Sequence, residues 1–264
     1  MGKQIKFTHN YHPKEKATSV TLPGWLFLFI NYHCSKMLNT ECSTFSTRLV
    51  CTIDMRNLTI APGEHYHIFN RGVGKQVIFH DKKDYQRFLF LILHFQFSGA
   101  YNPLGRYVKE FVEHRVFNIL SEKREIELAA FCLMSNHFHL IIKESEEGGI
   151  SRYMQRVLNS YTKYFNAKYS KSGHLFQGPY KAVHIEDDKQ LLHVSAYIHK
   201  NPSEWKDYEW STYIDYVLEN RWGKLLQTDL ILDQFKDRKK YQEFVETSLA
   251  KELENELGSQ TLEC

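Results

Sequence analysis

Two small groups of residues in this sequence have the types and spacing that chemistry needs. The first is His137-Phe138-His139. Alternate residues of a β-strand project to the same face, so two imidazoles two positions apart can converge on one cation while Phe138 turns into the opposite layer. Imidazole suits divalent transition metals, and a mixed site of imidazole, amide and water also accepts magnesium or manganese. The second group is Tyr197 and Asn201. Residues four apart share a helix face, so a phenol able to act as a nucleophile and an amide oxygen able to act as a third ligand would project together. Each group also has a plain alternative. An isolated HxH triplet is more often structural or accidental, and Leu191, Val194 and Ile198 make the helix around Tyr197 amphipathic, so that Tyr197 could be core.

The elements that must hold these groups follow from periodicity. His65 to Phe69 reads as a strand ending at the turn signal Asn70-Arg71-Gly72. Asp81 and Asp84 open an apolar run through Phe97, which predicts a helix with acidic residues in its first turn. Ala100 to Glu125 is an ambiguous insert. Ile126 to Met134 and His137 to Lys143 flank Ser135-Asn136 and predict an antiparallel pair. Tyr153, Val157, Tyr161 and Tyr164 recur at helical spacing between Ile150 and Tyr169. A Gly-containing loop, Lys171 to Pro179, leads to a strand at Tyr180 to Ile185. The helix from Asp187 to Lys200 stops at Asn201-Pro202, because the residue before proline avoids the α conformation. Strands and helices interleaved with a hairpin predict an α+β sandwich with helices packed on the sheet.

The bulk composition sets limits. Hydrophobic residues make up 42% and charged residues 25% of 264 residues, with a net charge of +3. These values suit a globular protein and do not by themselves indicate nucleic acid. The distribution is more informative: Ile150 to Lys206 holds nine Lys/Arg against four Asp/Glu, and Asp229 to the C-terminus holds five against nine. A basic segment before an acidic tail is compatible with a polyanion site, and equally with a solvated helix face. Arg152, Arg156, Lys163 and Lys181 are candidate phosphate contacts, with Arg71 counted beside them. Phe176, Tyr180 and Tyr161 are candidate stacking partners for unpaired bases. Each is equally readable as surface or core. The five cysteines form no CxxC pair, which argues against a disulfide framework and suits a reducing cytoplasm. No apolar run reaches the roughly 18–20 residues that span a bilayer, so no membrane partner is expected.

Several segments together resemble a known family. They are Tyr66-His67-Ile68-Phe69-Asn70-Arg71-Gly72, Met134-Ser135-Asn136-His137-Phe138-His139-Leu140, Met154-Gln155-Arg156 with Tyr164-Phe165-Asn166, and Ser172-Gly173-His174-Leu175-Phe176-Gln177-Gly178. Tyr197-Ile198-His199-Lys200-Asn201-Pro202 and Trp210-Ser211-Thr212-Tyr213 complete the set. In order and spacing they resemble the single-tyrosine HUH transposases of insertion sequences, and most closely the REP-associated tyrosine transposases. The resemblance implies a ferredoxin-like sandwich of the HUH endonuclease type, with an antiparallel sheet and helices on it. It implies that His137, His139 and Asn201 bind a divalent metal, Mg2+ or Mn2+, and that Tyr197 is the nucleophile. The implied substrate is single-stranded or hairpin DNA, such as a repetitive palindromic element or a transposon end. The implied reaction leaves a 5′-phosphotyrosine and a free 3′-hydroxyl, with rejoining.

One departure is Pro179, where relatives usually place a basic residue. The expected division is an irregular extension over residues 1–54, a catalytic domain over 55–216, and a helical acidic tail over 217–264. The extension, the insert and the tail lie outside the resemblance. The protein is expected to be cytoplasmic, and a monomer rather than a dimer. Two other readings stay open: a domesticated sequence-specific DNA-binding protein, and a metal-dependent nuclease in which water attacks.

Overall fold

The computed structural model describes residues 59–98, 104–114 and 123–249; the expectation for residues 1–54 lies outside them. Four strands, β1 (His65–Arg71), β2 (Ile126–Met134), β3 (His137–Glu144) and β4 (Lys181–Ile185), form one antiparallel sheet in the order β2-β3-β1-β4. Helices α1 (Lys82–His94) and α2 (Leu104–His114) lie between β1 and β2, and α3 (Gly149–Tyr169) lies between β3 and β4. A βαββαβ order with β1 and β3 at the centre is the split βαβ, or ferredoxin-like, arrangement. The sandwich expected from the sequence is therefore present. Helix α2 falls inside the segment that the sequence left ambiguous.

Strand alternation divides the sheet into two unlike faces. On one, Tyr66, Ile68, Leu133, Phe138, Leu140 and Ile142 are almost fully buried under α1 and α3. Helix α1 begins with a capping box, in which the Asp81 carboxylate accepts from the Asp84 N–H and the Asp84 carboxylate accepts from the Asp81 N–H. The fully buried Asp84 carboxylate also accepts from Tyr164 at 3.0 Å, Tyr169 at 2.7 Å and Lys168 at 2.6 Å on α3. Burial alone would raise its pKa, but these hydrogen bonds, with one from the His80 N–H, hold it below the ordinary value. The helices are thus locked together by a satisfied charge.

The other face is covered by helices that come after β4 in the chain: α4 (Asp188–His199), α5 (Tyr213–Val217), α6 (Asp229–Leu232) and α7 (Arg238–Thr247). Ala130, Cys132 and Ile141 of the sheet pack with Leu191, Ala196, Ile198, Tyr213 and Tyr216. Just before α5, Trp210 to Thr212 run along the outer edge of β2: the Leu133 N–H donates to Trp210 O at 2.9 Å, and the Thr212 N–H donates to Phe131 O at 3.0 Å. That pairing covers an otherwise open sheet edge. The segment beyond Tyr216, read from sequence as an appended tail, joins both cores: Leu225 and Leu226 pack on the α1 and α3 side, and the helices from Asp229 on pack into this layer. Ile231, Tyr241 and Val245 are fully buried in the same cluster, and Arg238 donates to the carbonyls of Asp215 and Tyr216.

Candidate active site

The hairpin turn Ser135-Asn136 starts β3 so that His137 and His139 both project to the α4 side of the sheet, with ring centroids 5.0 Å apart. Register places Arg71 of β1 opposite His137, and Phe69 opposite His139. The His137 ring is held by its neighbour. Asn136 donates its amide N–H to the Lys75 carbonyl at 3.2 Å, which turns its Oδ1 toward Nδ1 of His137 at 2.6 Å. Nδ1 is therefore the donor nitrogen. In the neutral ring, Nε2 keeps its lone pair, and the atom it faces at 3.2 Å is Oδ1 of Asn201.

Asn201 and Tyr197 arrive together because α4 ends where the sequence predicts. Asp187 caps its start, accepting from the Gln190 N–H at 2.6 Å, and Pro202 forbids continuation. Asn201 Nδ2 donates to the Tyr197 hydroxyl at 3.4 Å, so the amide oxygen is left pointing at His137. The Tyr197 ring stands edge-on to His139, with centroids 5.6 Å apart, and is 9% exposed. The opposite side of α4 is anchored through His199, which bonds Thr212 Oγ1 at 2.9 Å and the Tyr241 hydroxyl at 2.8 Å. The structure thus gathers His137, His139, Tyr197 and Asn201 into one site.

The donor set fits a divalent cation. In the neutral ring Nε2 of His137, like Oδ1 of Asn201, has a lone pair to offer, and the two atoms stand 3.2 Å apart. Two ligands about 2.1 Å from one octahedral cation stand roughly 3 Å apart, close to this separation. Burial holds His137 down to about 4, with Asn201 raising and Arg71 lowering it further, and His139 lies well below its ordinary value for the same first reason. Both rings are neutral at pH 7 and able to offer electron pairs. Among the described residues no cluster of three His, Cys, Asp or Glu ligands exists. Two imidazoles and an amide are the groups here with electron pairs to offer a cation.

The expected DNA contacts separate. Arg71 lies opposite His137, and its charge acts on both site histidines. Lys181 pairs with Phe69 across β1 and β4 and sits 6.0 Å from the centroid of that ring. Both are on the site's side of the sheet. Arg152, Arg156 and Lys163 are instead on α3, which covers the opposite face. Arg156 is tied to Glu125 at 2.5 Å and to the Phe95 carbonyl at 3.0 Å; its partner is an internal carboxylate, because Glu125 is buried. Arg152 bridges Glu125 and Glu146. Phe176 and Tyr161 are buried in the α3-side core and offer no stacking surface, while Tyr180 is half-buried with its hydroxyl against Ser151. His174 is exposed on the loop before β4.

That loop reaches β1 rather than floating free. Gly72 bridges Phe176, the Val73 N–H donates to Leu175 O at 3.0 Å, and the Gln177 N–H donates to Arg71 O at 2.8 Å. Gly72 is required here by space, since a Cβ would collide with the Gln76 carbonyl oxygen and the Ile78 side chain.

Sequence reasoning missed one residue of the site. Nε2 of His67 lies 2.9 Å from Nδ1 of His139, the rings stack at 5.1 Å, and the Tyr197 ring stands 6.1 Å from His67. Two signals pointed to it: His67 belongs to the Tyr66 to Gly72 motif, and its even offset from Phe69 and Arg71 puts it on the same strand face.

Residues 104–201 match the model of a family described as "Transposase IS200 like". The match starts within the segment read as an insert, contains both histidines, Tyr197 and Asn201, and stops short of the β1 motif and Trp210. No match was found among curated proteins. A solved structure described as a REP-associated tyrosine transposase bound to a REP hairpin aligns with a TM-score of 0.42 and 15% identity, over 71% of this chain and 93% of that one. Over the stretch that carries its candidate site, the chain resembles the IS200-like transposases.

Proposed function

We propose that this protein cleaves and rejoins single-stranded DNA through Tyr197, with a divalent metal, Mg2+ or Mn2+, held by His137, His139 and Asn201. The observation that carries the reading is the facing pair of acceptors, His137 Nε2 and Asn201 Oδ1, beside the Tyr197 hydroxyl. When bound, the cation supplies Lewis acidity at the scissile phosphate, where negative charge builds in the transition state.

The chain's own residues do the rest. Tyr197 Oη attacks the phosphorus and loses its proton; the bond from phosphorus to the 3′-oxygen breaks, and that oxygen takes up a proton to leave as a 3′-hydroxyl. The 5′-phosphotyrosine conserves the bond, so a 3′-hydroxyl can reverse the step without a nucleotide cofactor. Asn201 holds the phenol by its amide N–H and so fixes where it points. Arg71 and Lys181, the two expected cations that share this face, favour a phosphate backbone entering there. A hairpin end is the proposed substrate, on the strength of the family resemblance.

The experiment is incubation of the purified protein with a single-stranded hairpin oligonucleotide and Mn2+, followed by denaturing electrophoresis. The expected product is a protein–DNA adduct with a free 3′-hydroxyl partner strand. Free 5′-phosphate ends without adduct would favour attack by water, and binding without cleavage would favour a DNA-binding protein that does no chemistry.

A further inference from the structure

The two candidate metal ligands are held in parallel ways. Each has Nδ1 against a fixed partner: for His137 it is Asn136 Oδ1 at 2.6 Å, and for His139 it is His67 Nε2 at 2.9 Å. The first partner comes from the turn and the second from the neighbouring strand. His67 sits on β1, between β3 and β4, with Ile141 and Val183 as its direct cross-strand partners. His139 is therefore its diagonal neighbour, within reach on the same face. Both rings are 5% exposed. At 2.9 Å one ring donates an N–H and the other accepts it, so a single proton lies along the contact.

Two neutral imidazoles 2.9 Å apart admit two arrangements. If His67 donates, the proton of His139 sits on Nε2; Nδ1 is already engaged, and the ring has no electron pair left for a cation. If His139 donates from Nδ1, its Nε2 carries a lone pair, as His137 Nε2 does. We propose that His67 is a positioning residue that accepts the Nδ1–H of His139, fixing its tautomer and ring plane so that Nε2 faces the metal. This rests on the metal site proposed above. His67 itself is then no ligand, because its Nε2 is spent on His139. Metal-binding histidines commonly donate their second ring N–H to an oxygen acceptor, and loss of that acceptor typically weakens metal affinity about 10–100-fold. An imidazole acceptor differs in being neutral, so it orients the ligand without adding charge beneath an incoming phosphate.

The full chain decides this by two measurements. In the metal-free protein, 15N imidazole NMR should show His139 protonated at Nδ1 and bare at Nε2. In Mn2+ titrations followed by electron paramagnetic resonance, His67→Leu, which fills the space without an acceptor, should bind about 10–100-fold more weakly. His67→Gln, which restores an acceptor oxygen, should recover most of that loss. A merely structural His67 would give equal defects in both variants, which would overturn the proposal. So would an Nε2–H tautomer of His139 in the wild-type protein, a measurement that holds even if His67→Leu fails to fold. If His67→Leu binds Mn2+ like wild type while His139→Ala does not, the positioning role is wrong and the metal site stands. If His139→Ala binds like wild type, the metal site itself falls.

Discussion

The two faces of the same four strands differ in what their alternate residues are asked to do. On β3, Phe138, Leu140 and Ile142 point into the layer under α1 and α3, whereas His137 and His139 point toward α4. The first face is an apolar core in which the buried Asp84 carboxylate is satisfied by donors. On the second, imidazoles and an amide meet, His67 against His139 and His137 against Asn201. One face is built for packing, and the other gathers side chains that carry lone pairs. Polar groups brought together in this way in an otherwise well-packed fold mark function.

The largest contrast should come from neighbouring residues of β3. His137→Ala or His139→Ala should abolish Mn2+-dependent cleavage, because a three-residue site that loses one ligand leaves too few groups to orient a cation, yet should shift the melting temperature little. Phe138→Ala, one position away, should cost about 3–5 kcal/mol of stability through the cavity it leaves. Chemical denaturation and cleavage assays on the same variants would show whether the two losses separate. Large instability in the histidine variants would erase the distinction between the faces.

Next in size is Arg156, expected from sequence to touch DNA and found against Glu125. Arg156→Ala should destabilise the fold by a few kcal/mol at most, since the pair is partly solvated and the buried Glu125 keeps only its longer contact with Arg152. Its hairpin affinity per folded molecule should equal that of wild type, and a filter-binding titration measures this. Arg71→Ala should do the reverse, weakening binding and reducing its salt dependence.

A smaller effect should follow pH. Burial lowers His94 to about 4 and His199 to about 3. Between the ordinary histidine value of 6.5 and those values the unfolded chain binds protons that the folded chain refuses. Stability is therefore fully present above about pH 6.5 and falls as pH drops toward about 4. Denaturant midpoints from about pH 7 down to about pH 4.5 would show the slope, and His199→Gln should flatten it. The smallest change is Tyr241→Phe, which removes the hydroxyl between His199 and Ser195 and should cost about 1 kcal/mol. A null result would mean that α7 contributes to the α4 layer by packing alone.

Local pattern made much of this legible. The hairpin, the capped helices and the stop at Pro202 are each written within a few residues, so His137 with His139, and Tyr197 with Asn201, could be paired from spacing alone. The residues that escaped depend on long-range register. His67 meets His139 only because β1 pairs with β3 in one alignment out of several that the alternation allows. Arg156 looks like any surface cation until Glu125, 31 residues away, is brought beneath it. Phe176 and Tyr161 resemble stacking residues because aromatic rings serve cores and bases alike. The segment after Tyr216 reads as an acidic tail from its charge balance, and nothing local in the sequence says which surface Ile231, Tyr241 and Val245 will meet.

The central claim is that Tyr197 itself attacks DNA, and replacement of one oxygen tests it most directly. Tyr197→Phe keeps the ring against His139 and the α4 layer, so folding, Mn2+ binding and hairpin binding should match wild type. With hairpin DNA and Mn2+ under denaturing conditions, wild type should show a covalent adduct that mass mapping places on the peptide holding Tyr197, and Tyr197→Phe should show none. Adduct formation by Tyr197→Phe at the wild-type rate would contradict the account and place the nucleophile elsewhere.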